Sequence, residues 1–364
     1  MASVPTLAIL SDTHVPVTAR LTRAISRMDI DALLFAGDHH PTRFGVTRRS
    51  AAAWRRSVGR PLNDAVIAVP GNHDYSPEDG LAEWRERFMA WWPSGVSRID
   101  GPGCFLADLG YLRIIGLDTG ETASHLSDDQ LAWLRALSTD VVRGPAIALA
   151  HSPLFPVGVH IGRSLDADAE RRDAVLHELA RLGVLAYFCG HEHLLAHRRL
   201  SSAKAPDHTI HQLTVGGGGA TGEQPASADL EFSASINHVG LIDVGYGDRV
   251  TFRAIDVEER HVWSLELNAA RHRARMAPHH VMVANGLTPE PGRPAPVQAE
   301  VPPSIPEPPV SPPRPAGIRR VVTFRPGSPT LTVARPPAPE RRWQRTSPAS
   351  VSSGSESRHD PVYP

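Results

Sequence analysis

Five short stretches of this 364-residue chain bring acids, an amide and histidines to the ends of apolar, strand-like runs. They are Asp12-Thr13-His14, Gly37-Asp38, Gly71-Asn72-His73-Asp74, His151 and Gly190-His191-Glu192-His193. Carboxylates, amide oxygens and imidazoles are ligands for divalent cations, and the stretches contain enough of them to hold two cations side by side. A pair of cations can bind a phosphate ester and supply the hydroxide that breaks it. Hydrolysis of phosphate esters is therefore the chemistry that these residue types indicate.

The spacing within two of these stretches supports a shared site. In extended backbone, residues two apart point to the same side, which applies to Asp12 and His14 and again to His191 and His193. Loops at strand ends are where α/β enzymes place their chemistry. One Asp-x-His, or one histidine after a strand, is usually structural. All five stretches in one chain favour a metal site over five separate structural roles.

The elements that must position these residues are short apolar strands that alternate with amphipathic helices. Strands are predicted over 6–10, 32–35, 65–69, 104–108, 112–117, 146–150, 185–189, 210–215, 239–244, 250–256 and 262–267. Helices are predicted over 18–28, 81–92, 127–137 and 169–182. This order of elements predicts an α/β fold in which two sheets pack face to face with helices outside.

Three local patterns carry further expectations. Ser127 opens a predicted helix and Gln130 follows three residues later, which matches a capping box. The glycine run 216–219 allows very close backbone approach, and it is no Walker loop because no Lys-Ser or Lys-Thr follows it. The tryptophans of the helix predicted over 81–92 are expected to pack in the core rather than to stack on bases.

Composition divides the chain into a globular domain over 1–268, a connector over 269–284 and a tail over 285–364. The tail holds 20 of the 34 prolines and few aliphatic runs. Such a segment buries too little apolar surface to offset its ordering entropy, so we expect it to be mostly disordered. A local hairpin over 320–324 and 330–333 would be marginal in water.

Charge gives little sign of a polyanionic partner, because the formal net charge is −1. The tail is more basic, with ten arginines against six acids. It could contact nucleic acid or acidic lipid, but a solvated spacer is favoured. Proline-rich segments also suit groove binding, so a protein partner for the tail is a second option.

Cysteine usage and hydropathy favour a cytoplasmic protein without a membrane partner. Cys104 and Cys189 lie in apolar runs and in no CxxC pair, which indicates buried thiols in a reducing compartment. The apolar run over 7–10 is too short for a signal peptide and follows no basic residue. No stretch approaches the roughly 20 apolar residues of a membrane span.

The five stretches, in their order, resemble the calcineurin-like metallophosphoesterases. The series in that superfamily runs Asp-x-His, Gly-Asp, Gly-Asn-His-Asp or Glu, His, and Gly-His-x-His, and here it covers residues 6–267. The resemblance implies a four-layer αββα double β-sandwich over the predicted 1–268 domain. It assigns one metal to Asp12, His14 and His193, a second to Asn72, His151 and His191, and a bridge to Asp38. The mixture of oxygen and imidazole ligands suits Mn, Fe, Zn or Co, with Mn or an Fe/Mn pair favoured.

The resemblance also implies roles for two residues that are not ligands. A hydroxide generated between the metals would attack phosphorus in line with the leaving oxygen. His73 would face the leaving group as general acid, a role that contributes about 10²–10⁴ in rate. Asp74 would orient the His73 imidazole.

One departure from the protein phosphatases of the superfamily affects substrate choice. Their Gly-Asp motif continues to a second Asp and an Arg, and both are missing from the stretch that begins Gly37-Asp38-His39-His40. Ser152 and Pro153 after His151, together with 117–119, instead resemble the cyclic-nucleotide phosphodiesterase and purple-acid-phosphatase-like branches. His39, His160 and Arg163 are candidate substrate contacts. His39 could instead support a ligand from behind, but an exposed or capping role is the favoured alternative for it.

The leading interpretation is a dinuclear metallophosphoesterase that cleaves a small phosphodiester, with a cyclic nucleotide as one candidate. The alternatives are a phosphomonoesterase acting on proteins or small molecules, and a nuclease, which is less favoured because the core lacks a basic stripe. A non-catalytic scaffold on the same fold is a further alternative. It is disfavoured because every ligand position and His73 are present.

Overall fold

A computed structural model describes residues 4–13, 17–39, 45–60, 65–101, 103–139, 144–220, 222–268 and 282–284. All of these residues belong to one unit, Met1–Arg293. The predicted tail, its hairpin and most of the predicted connector lie outside the described residues. No helix within the described ranges is long and apolar enough to cross a bilayer.

The described strands are β1 (Thr6–Leu10), β2 (Ala32–Phe35), β3 (Val66–Ala68), β4 (Ser97–Gly101), β5 (Cys104–Asp108), β6 (Arg113–Gly116), β7 (Ala146–Leu149), β8 (Ala186–Cys189), β9 (Leu195–Ser202), β10 (Ala205–Val215), β11 (Phe232–Ala234), β12 (His238–Val244), β13 (Val250–Asp256), β14 (His261–Glu266) and β15 (Met282–Ala284). The described α-helices are α1 (Val17–Ile25), α2 (Arg48–Trp54), α3 (Ala82–Phe88), α4 (Asp128–Ala136) and α5 (Ala169–Arg181).

The strands form two sheets. The six-stranded sheet has the order β14-β13-β12-β1-β2-β3, and the nine-stranded sheet has the order β11-β9-β10-β8-β7-β6-β5-β4, with β15 paired to β9. Within the first sheet β1, β2 and β3 are parallel. Within the second, β6, β7, β8 and β10 are parallel.

Side-chain alternation along the strands builds four layers. In β1, Leu7 and Ile9 face the apolar core between the sheets, whereas Ala8 and Leu10 join the core beneath α1, α2 and α3. In β8, Phe188 faces the same inter-sheet core, and Tyr187 and Cys189 face the core beneath α4 and α5. Both faces of these strands are therefore buried, as continuous apolar runs in parallel strands require. The predicted αββα double sandwich is confirmed.

The predicted helix ends and caps are confirmed in part. Ser127 is the N-cap of α4 and its side chain accepts the Gln130 N–H, as predicted. The Gln130 side chain does not complete a capping box. Its amide oxygen accepts the Asp118 N–H and its amide nitrogen donates to the Asp118 carbonyl oxygen instead. The helix predicted over 81–92 ends at Phe88 and continues as a 3₁₀ turn, Met89–Trp91.

The tryptophans pack as expected. Trp84 is buried and stacks on Phe88. Trp91 stacks on Trp54, with 5.6 Å between ring centroids. Trp54 belongs to α2, which continues as a π-helix over Arg55–Gly59 and was not predicted. Cys104 and Cys189 are free and buried, as predicted.

Candidate metal centre

The candidate ligands meet at one rim of the sandwich, where parallel strands of both sheets end. Asp12, Asp38 and Asn72 follow β1, β2 and β3 of the six-stranded sheet. His151, His191 and His193 follow β7 and β8 of the nine-stranded sheet. The sandwich thus brings residues from positions 12 to 193 to one place. His14, the seventh candidate ligand, lies outside the described residues.

A compact group forms the middle of the site. Ligand atoms of Asp12, Asp38 and His151 all lie within 4.8 Å of one another, and all three residues are buried. Nε2 of His151 is 3.4 Å from Asp38 Oδ2 and 3.1 Å from Asn72 Oδ1. These distances place two acids, an amide oxygen and an imidazole around one point, as a metal site requires.

His191 and His193 flank this group on the side of Asp12. Nε2 of His193 lies 3.5 Å from Asp12 Oδ1. The ring centroid of His191 is 5.1 Å from that of His151, and the His191 backbone N–H donates to Asp12 Oδ2 at 3.0 Å. The structure therefore brings together six of the seven predicted ligands, and their roles as ligands remain predictions.

Three of these residues have left-handed backbone, which is uncommon for residues other than glycine. The φ angles are 54° at Asp12, 58° at Asp38 and 70° at His191. Such conformations are unfavourable and cluster at functional sites, where the surrounding structure holds them. Here each one turns a side chain from the end of its strand into the site.

The glycine run 216–219 lets the two sheets approach closely beneath the site, as predicted. Gly218 N donates to Ser11 O at 3.1 Å, and a Cβ at Gly218 would overlap that carbonyl oxygen. A Cβ at Gly216 would overlap the carbonyl oxygen of Glu192. The glycine segment that follows β10 can therefore pass between the loops that carry Asp12 and His191 only because it lacks side chains.

Neighbouring charges and burial shift the pKa values of the acids and histidines in the site. Burial by itself would raise the pKa of Asp38, but the imidazoles of His151 and His73 lower it well below its usual range. Burial by itself would lower the pKa of His151, but Asp38 raises it to about 10. Burial, together with His151 and His160, lowers the pKa of His191 to about 2, so that imidazole is neutral at pH 7. Asp38 and His191 are therefore in the forms that bind metals, whereas His151 would release a proton on binding one.

The donor set fits a metal ion. Asp12 Oδ1 is buried and accepts no hydrogen bond from any described residue. An ionised carboxylate oxygen in that position is costly unless a cation compensates it. A divalent cation between Asp12, Asp38 and His151 would satisfy it.

Asp74 does not have the predicted role. Its carboxylate accepts the backbone N–H groups of Gly71 at 2.8 Å, Asp38 at 3.0 Å and His39 at 3.1 Å. The prediction that Asp74 orients the His73 imidazole is wrong, because these donors and the His39 ring occupy its oxygens. Nδ1 of His73 has no hydrogen-bond partner among the described residues. Asp74 instead fixes the turn that carries Asp38.

His39 is not a substrate contact, which corrects that prediction too. The residue is 2% exposed, and its Nδ1 lies 2.5 Å from Asp74 Oδ1. Its Nε2 lies 3.0 Å from the hydroxyl of Ser50 in α2. The exposed or capping role favoured for His39 is also wrong, since the ring links Asp74 to α2 from inside the protein.

His73 lies at the edge of the group with a partly exposed side chain. Its Nε2 is 3.9 Å from Asp38 Oδ2, and its backbone N–H donates to Asp38 Oδ1 at 2.9 Å. The residue sits in the 3₁₀ turn Asn72–Asp74, which follows β3. The imidazole can therefore reach the space in front of the candidate ligands.

Of the remaining predicted contacts, His160 lies at the site and Arg163 is exposed beside it. The His160 and His191 ring centroids are 3.9 Å apart. Arg163 N donates to His160 O at 2.9 Å, and the charge of Arg163 contributes to lowering the pKa of His160, after burial and His193. Whether either residue binds substrate remains a prediction.

Two acids near the site were not singled out in the sequence. Glu223 Oε1 lies 3.4 Å from His193 Nδ1, the nitrogen that faces away from Asp12. A carboxylate in this position orients an imidazole ligand. No local pattern marks Glu223, because it is distant in sequence and lies in a loop. Glu192 is fully buried, and its position between two histidines of one motif was the available signal.

Comparison with known proteins agrees with the geometry. The sequence model of the calcineurin-like phosphoesterase family matches residues 5–195, more than half of the chain. The chain belongs to the calcineurin-like phosphoesterase family. Membership of this family implies hydrolysis of phosphoester bonds with metal ions. No curated protein matches the sequence.

Solved structures show the same fold. The purple acid phosphatase PPD1 from yellow lupin superposes with a TM-score of 0.55 at 15% identity, covering 73% of this chain and 54% of the lupin chain. GAP50 of Plasmodium, described as the anchor in the inner membrane complex, gives a TM-score of 0.52 at 12% identity, covering 79% of this chain and 98% of GAP50. This chain thus spans about half the length of the lupin enzyme.

Proposed function

We propose that the protein hydrolyses a small phosphodiester at a centre of two divalent metal ions. The observation that carries the proposal is the buried group of Asp12, Asp38 and His151, within 4.8 Å of one another, in which Asp12 Oδ1 lacks a hydrogen bond from any described residue. His193 beside Asp12, and Asn72 with His191 beside His151, would complete two adjacent ligand sets around Asp38. His14 is expected to join the set of Asp12.

When bound, two such metals would neutralise phosphate oxygens and generate a hydroxide at neutral pH. The residues of the chain would supply the rest. His73, through Nε2, would donate a proton to the leaving alcohol oxygen, because it lies beside Asp38 and remains partly exposed. His160 and Arg163 would contact the part of the substrate that extends beyond the ligands.

Charge supports a diester over a monoester. A diester carries one negative charge at neutral pH and a monoester carries close to two, so a monoester needs more cationic groups around it. Arg163 is the one arginine that we assign to this rim among the described residues. The position after Asp38, where phosphatases of the superfamily begin the run to their arginine, holds a buried histidine bonded to Asp74.

A phosphomonoesterase is the second candidate. Arg163, with His160 as a hydrogen-bond donor, could hold the additional charge of a monoester, and the chain shares its fold with a purple acid phosphatase. A scaffold role is a third candidate, in view of the likeness to GAP50. Metal analysis tests it, because a scaffold would not need the two equivalents that the enzyme proposal expects.

The test is a substrate panel on protein loaded with Mn²⁺. The panel contains bis-p-nitrophenyl phosphate, p-nitrophenyl phosphate, cyclic nucleotides and single-stranded DNA. We expect kcat/KM for the diester to exceed that for the monoester. A higher value for p-nitrophenyl phosphate would favour the phosphatase. No turnover of any substrate by protein that holds two metals would overturn the proposal.

A further inference from the structure

A short loop borders the metal centre on the side of His191. This rim loop, residues 158–163, connects the segment after β7 to the turn that precedes α5. His160 in its middle lies with its ring centroid 3.9 Å from that of His191. Val159 and Ile161, on either side of His160, are 59% and 49% exposed.

The first end of the rim loop is held by the carboxylate of Glu192. Val157 N donates to Oε2 at 2.8 Å, and Gly158 N donates to Oε1 at 2.5 Å. Glu192 is 0% exposed, and no lysine, arginine or histidine among the described residues forms an ion pair with it. Burial accordingly raises the pKa of Glu192, while the two backbone donors lower it. A buried carboxylate is costly unless it is hydrogen-bonded, and the N–H groups of Val157 and Gly158 supply these bonds.

The same end is fixed in two further ways. The side chain of Val157 packs in a small apolar cluster with Leu194 and Ala196, directly after the His191–His193 stretch. The carbonyl oxygen of Val157 accepts the N–H groups of Ala226 at 2.7 Å and Ser227 at 3.0 Å. Position 157 is therefore tied to the metal-binding stretch, and the rim loop begins from a fixed point.

The second end is held by another carboxylate. Gly162 N donates to Asp166 Oδ2 at 2.6 Å, and Ser164 N donates to Asp166 Oδ1 at 3.1 Å. Gly162 has a φ of 78°, which favours glycine at this turn. Two acids thus bracket a six-residue loop, one inside the protein and one near its surface.

We propose that Glu192 is a positioning residue that holds the rim loop over the metal centre, and that this loop binds the alcohol part of the substrate. The proposal rests on the proposed function and extends it to the substrate class. Large exposed hydrophobic side chains are few in the described ranges, namely Val4, Ile99, Val159, Ile161 and Tyr246. Two of them flank His160 beside the candidate ligands. The preferred substrates are therefore phosphodiesters with an apolar or aromatic alcohol.

The decisive variant is Glu192→Gln. The amide keeps the size of the side chain but turns one acceptor into a donor that faces backbone N–H groups. Such a loss is expected to raise KM for bis-p-nitrophenyl phosphate about tenfold, with kcat and bound Mn²⁺ changed little. Amide hydrogen exchange over 157–163 should be faster by a similar factor. Glu178→Gln in α5, another buried acid, is the matched control and should change neither quantity.

A double variant tests whether Glu192 affects KM through the position of the rim loop or through a general loss of structure. His160→Ala should raise KM in the same direction, and Glu192→Gln should raise KM by a smaller factor in the His160→Ala background than in the wild-type protein, because part of what the loop contributes is then already lost. Additive effects would overturn the assignment, as would unchanged exchange in Glu192→Gln. Loss of Mn²⁺ binding in Glu192→Gln would also overturn it, because Glu192 would then support the ligands rather than the loop.

The failure of this inference can be told apart from failure of the proposed function. If wild-type protein hydrolyses no phosphoester, the proposed function and the substrate contact both fall, while hydrogen exchange still decides whether Glu192 anchors the loop. Equal KM values for methyl and aryl diesters, together with normal turnover, would overturn only the contact between the rim loop and the alcohol.

Discussion

The two sheets contribute different chemistry to the metal centre. Among the described residues, the six-stranded sheet supplies the candidate oxygen ligands, from Asp12, Asp38 and Asn72. The nine-stranded sheet supplies the candidate imidazole ligands, from His151, His191 and His193. In the described part of the chain each sheet offers one kind of candidate ligand, so the mixed set of Asp12, Asp38, Asn72, His151, His191 and His193 forms where the sheets meet.

The two sides are also held in place differently. On the oxygen side, the turn of Asp38 is fixed from the turn after the neighbouring strand β3, because the Asp74 carboxylate accepts three backbone N–H groups. On the imidazole side, contacts reach across to the other sheet: His151 Nδ1 lies 2.8 Å from Ala36 O, and His191 N donates to Asp12 Oδ2. Asp38 is thus held from within its own sheet, whereas His151 and His191 are held by contacts across the sandwich.

The largest effect should come from the residue on which both sides converge. Asp38→Ala removes the carboxylate that contacts His151 and receives the His73 N–H. We expect loss of both metals and a fall in kcat/KM of more than about 10³-fold. Metal content by elemental analysis and diesterase assays measure this. Asp256→Ala at the end of β13 is the control, and retention of two metals in Asp38→Ala would contradict the bridging role.

His73 lies on the oxygen side without being a predicted ligand, so its removal should separate chemistry from metal binding. His73→Ala should retain its metals and lose about 10²–10⁴ in kcat on esters with poor leaving groups. Esters with good leaving groups, such as p-nitrophenyl, should lose much less. A series of diesters with rising leaving-group pKa measures this, and a uniform loss across the series would rule out the acid role.

Asp74 tests how the oxygen side is held. Because its carboxylate supports the Asp38 turn, Asp74→Asn should weaken Mn²⁺ affinity by about 10–100-fold, with kcat at saturating Mn²⁺ nearly unchanged. Calorimetric titration of Mn²⁺ and assays over a range of its concentration measure both. The opposite pattern, with normal affinity and a low kcat, would show that Asp74 acts through His73 after all.

The nine-stranded sheet also buries two histidines away from the centre, which predicts acid sensitivity. Burial lowers the pKa of His197 to about 3 and of His211 to about 4, from an ordinary value of 6.5. Below pH 6.5 the unfolded chain takes up protons that the folded protein does not, so the free energy of unfolding should fall as pH drops towards 4. We expect a loss on the order of 1 kcal/mol per histidine at pH 5.

Urea unfolding of metal-free protein at pH 7 and pH 5 measures this loss. His211→Gln should reduce the difference between the two pH values. His261→Gln, at the exposed start of β14, should leave it unchanged. Equal stability of the wild-type protein at both pH values would contradict neutral, buried histidines.

The sequence predicted those parts of the fold that depend on apolar runs. β1, β2 and β13 have the predicted bounds, because each is an uninterrupted or alternating apolar run between turn residues. β9 was not predicted, since its Leu195–Ser202 sequence contains a histidine, two arginines and two serines. The buried polar groups of β9 find hydrogen-bond partners that are distant in sequence. Arg198, for example, donates to the carbonyl oxygen of Asp229. Such pairings cannot be read from a local pattern.

The candidate site, too, was predicted from the sequence in part. Positions of the ligand motifs followed from strand ends and from the family resemblance, and the structure brings the described ones together. The residues that the carboxylates of Asp74, Glu192 and Glu223 contact could not be predicted from the sequence. Asp74 is adjacent to His73 in sequence, yet its carboxylate faces His39, since the 3₁₀ turn directs the two side chains apart. Hydrogen bonds between loops depend on the assembled sandwich.

The most direct test is a crystal structure of the protein soaked in Mn²⁺, with anomalous diffraction to locate the metals. Two peaks roughly 3.5–4 Å apart are expected, one beside Asp12 and His193 and the other beside Asn72, His151 and His191, with Asp38 contacting both. A single peak, or peaks that contact ligands from one sheet alone, would contradict a centre built jointly by the two sheets.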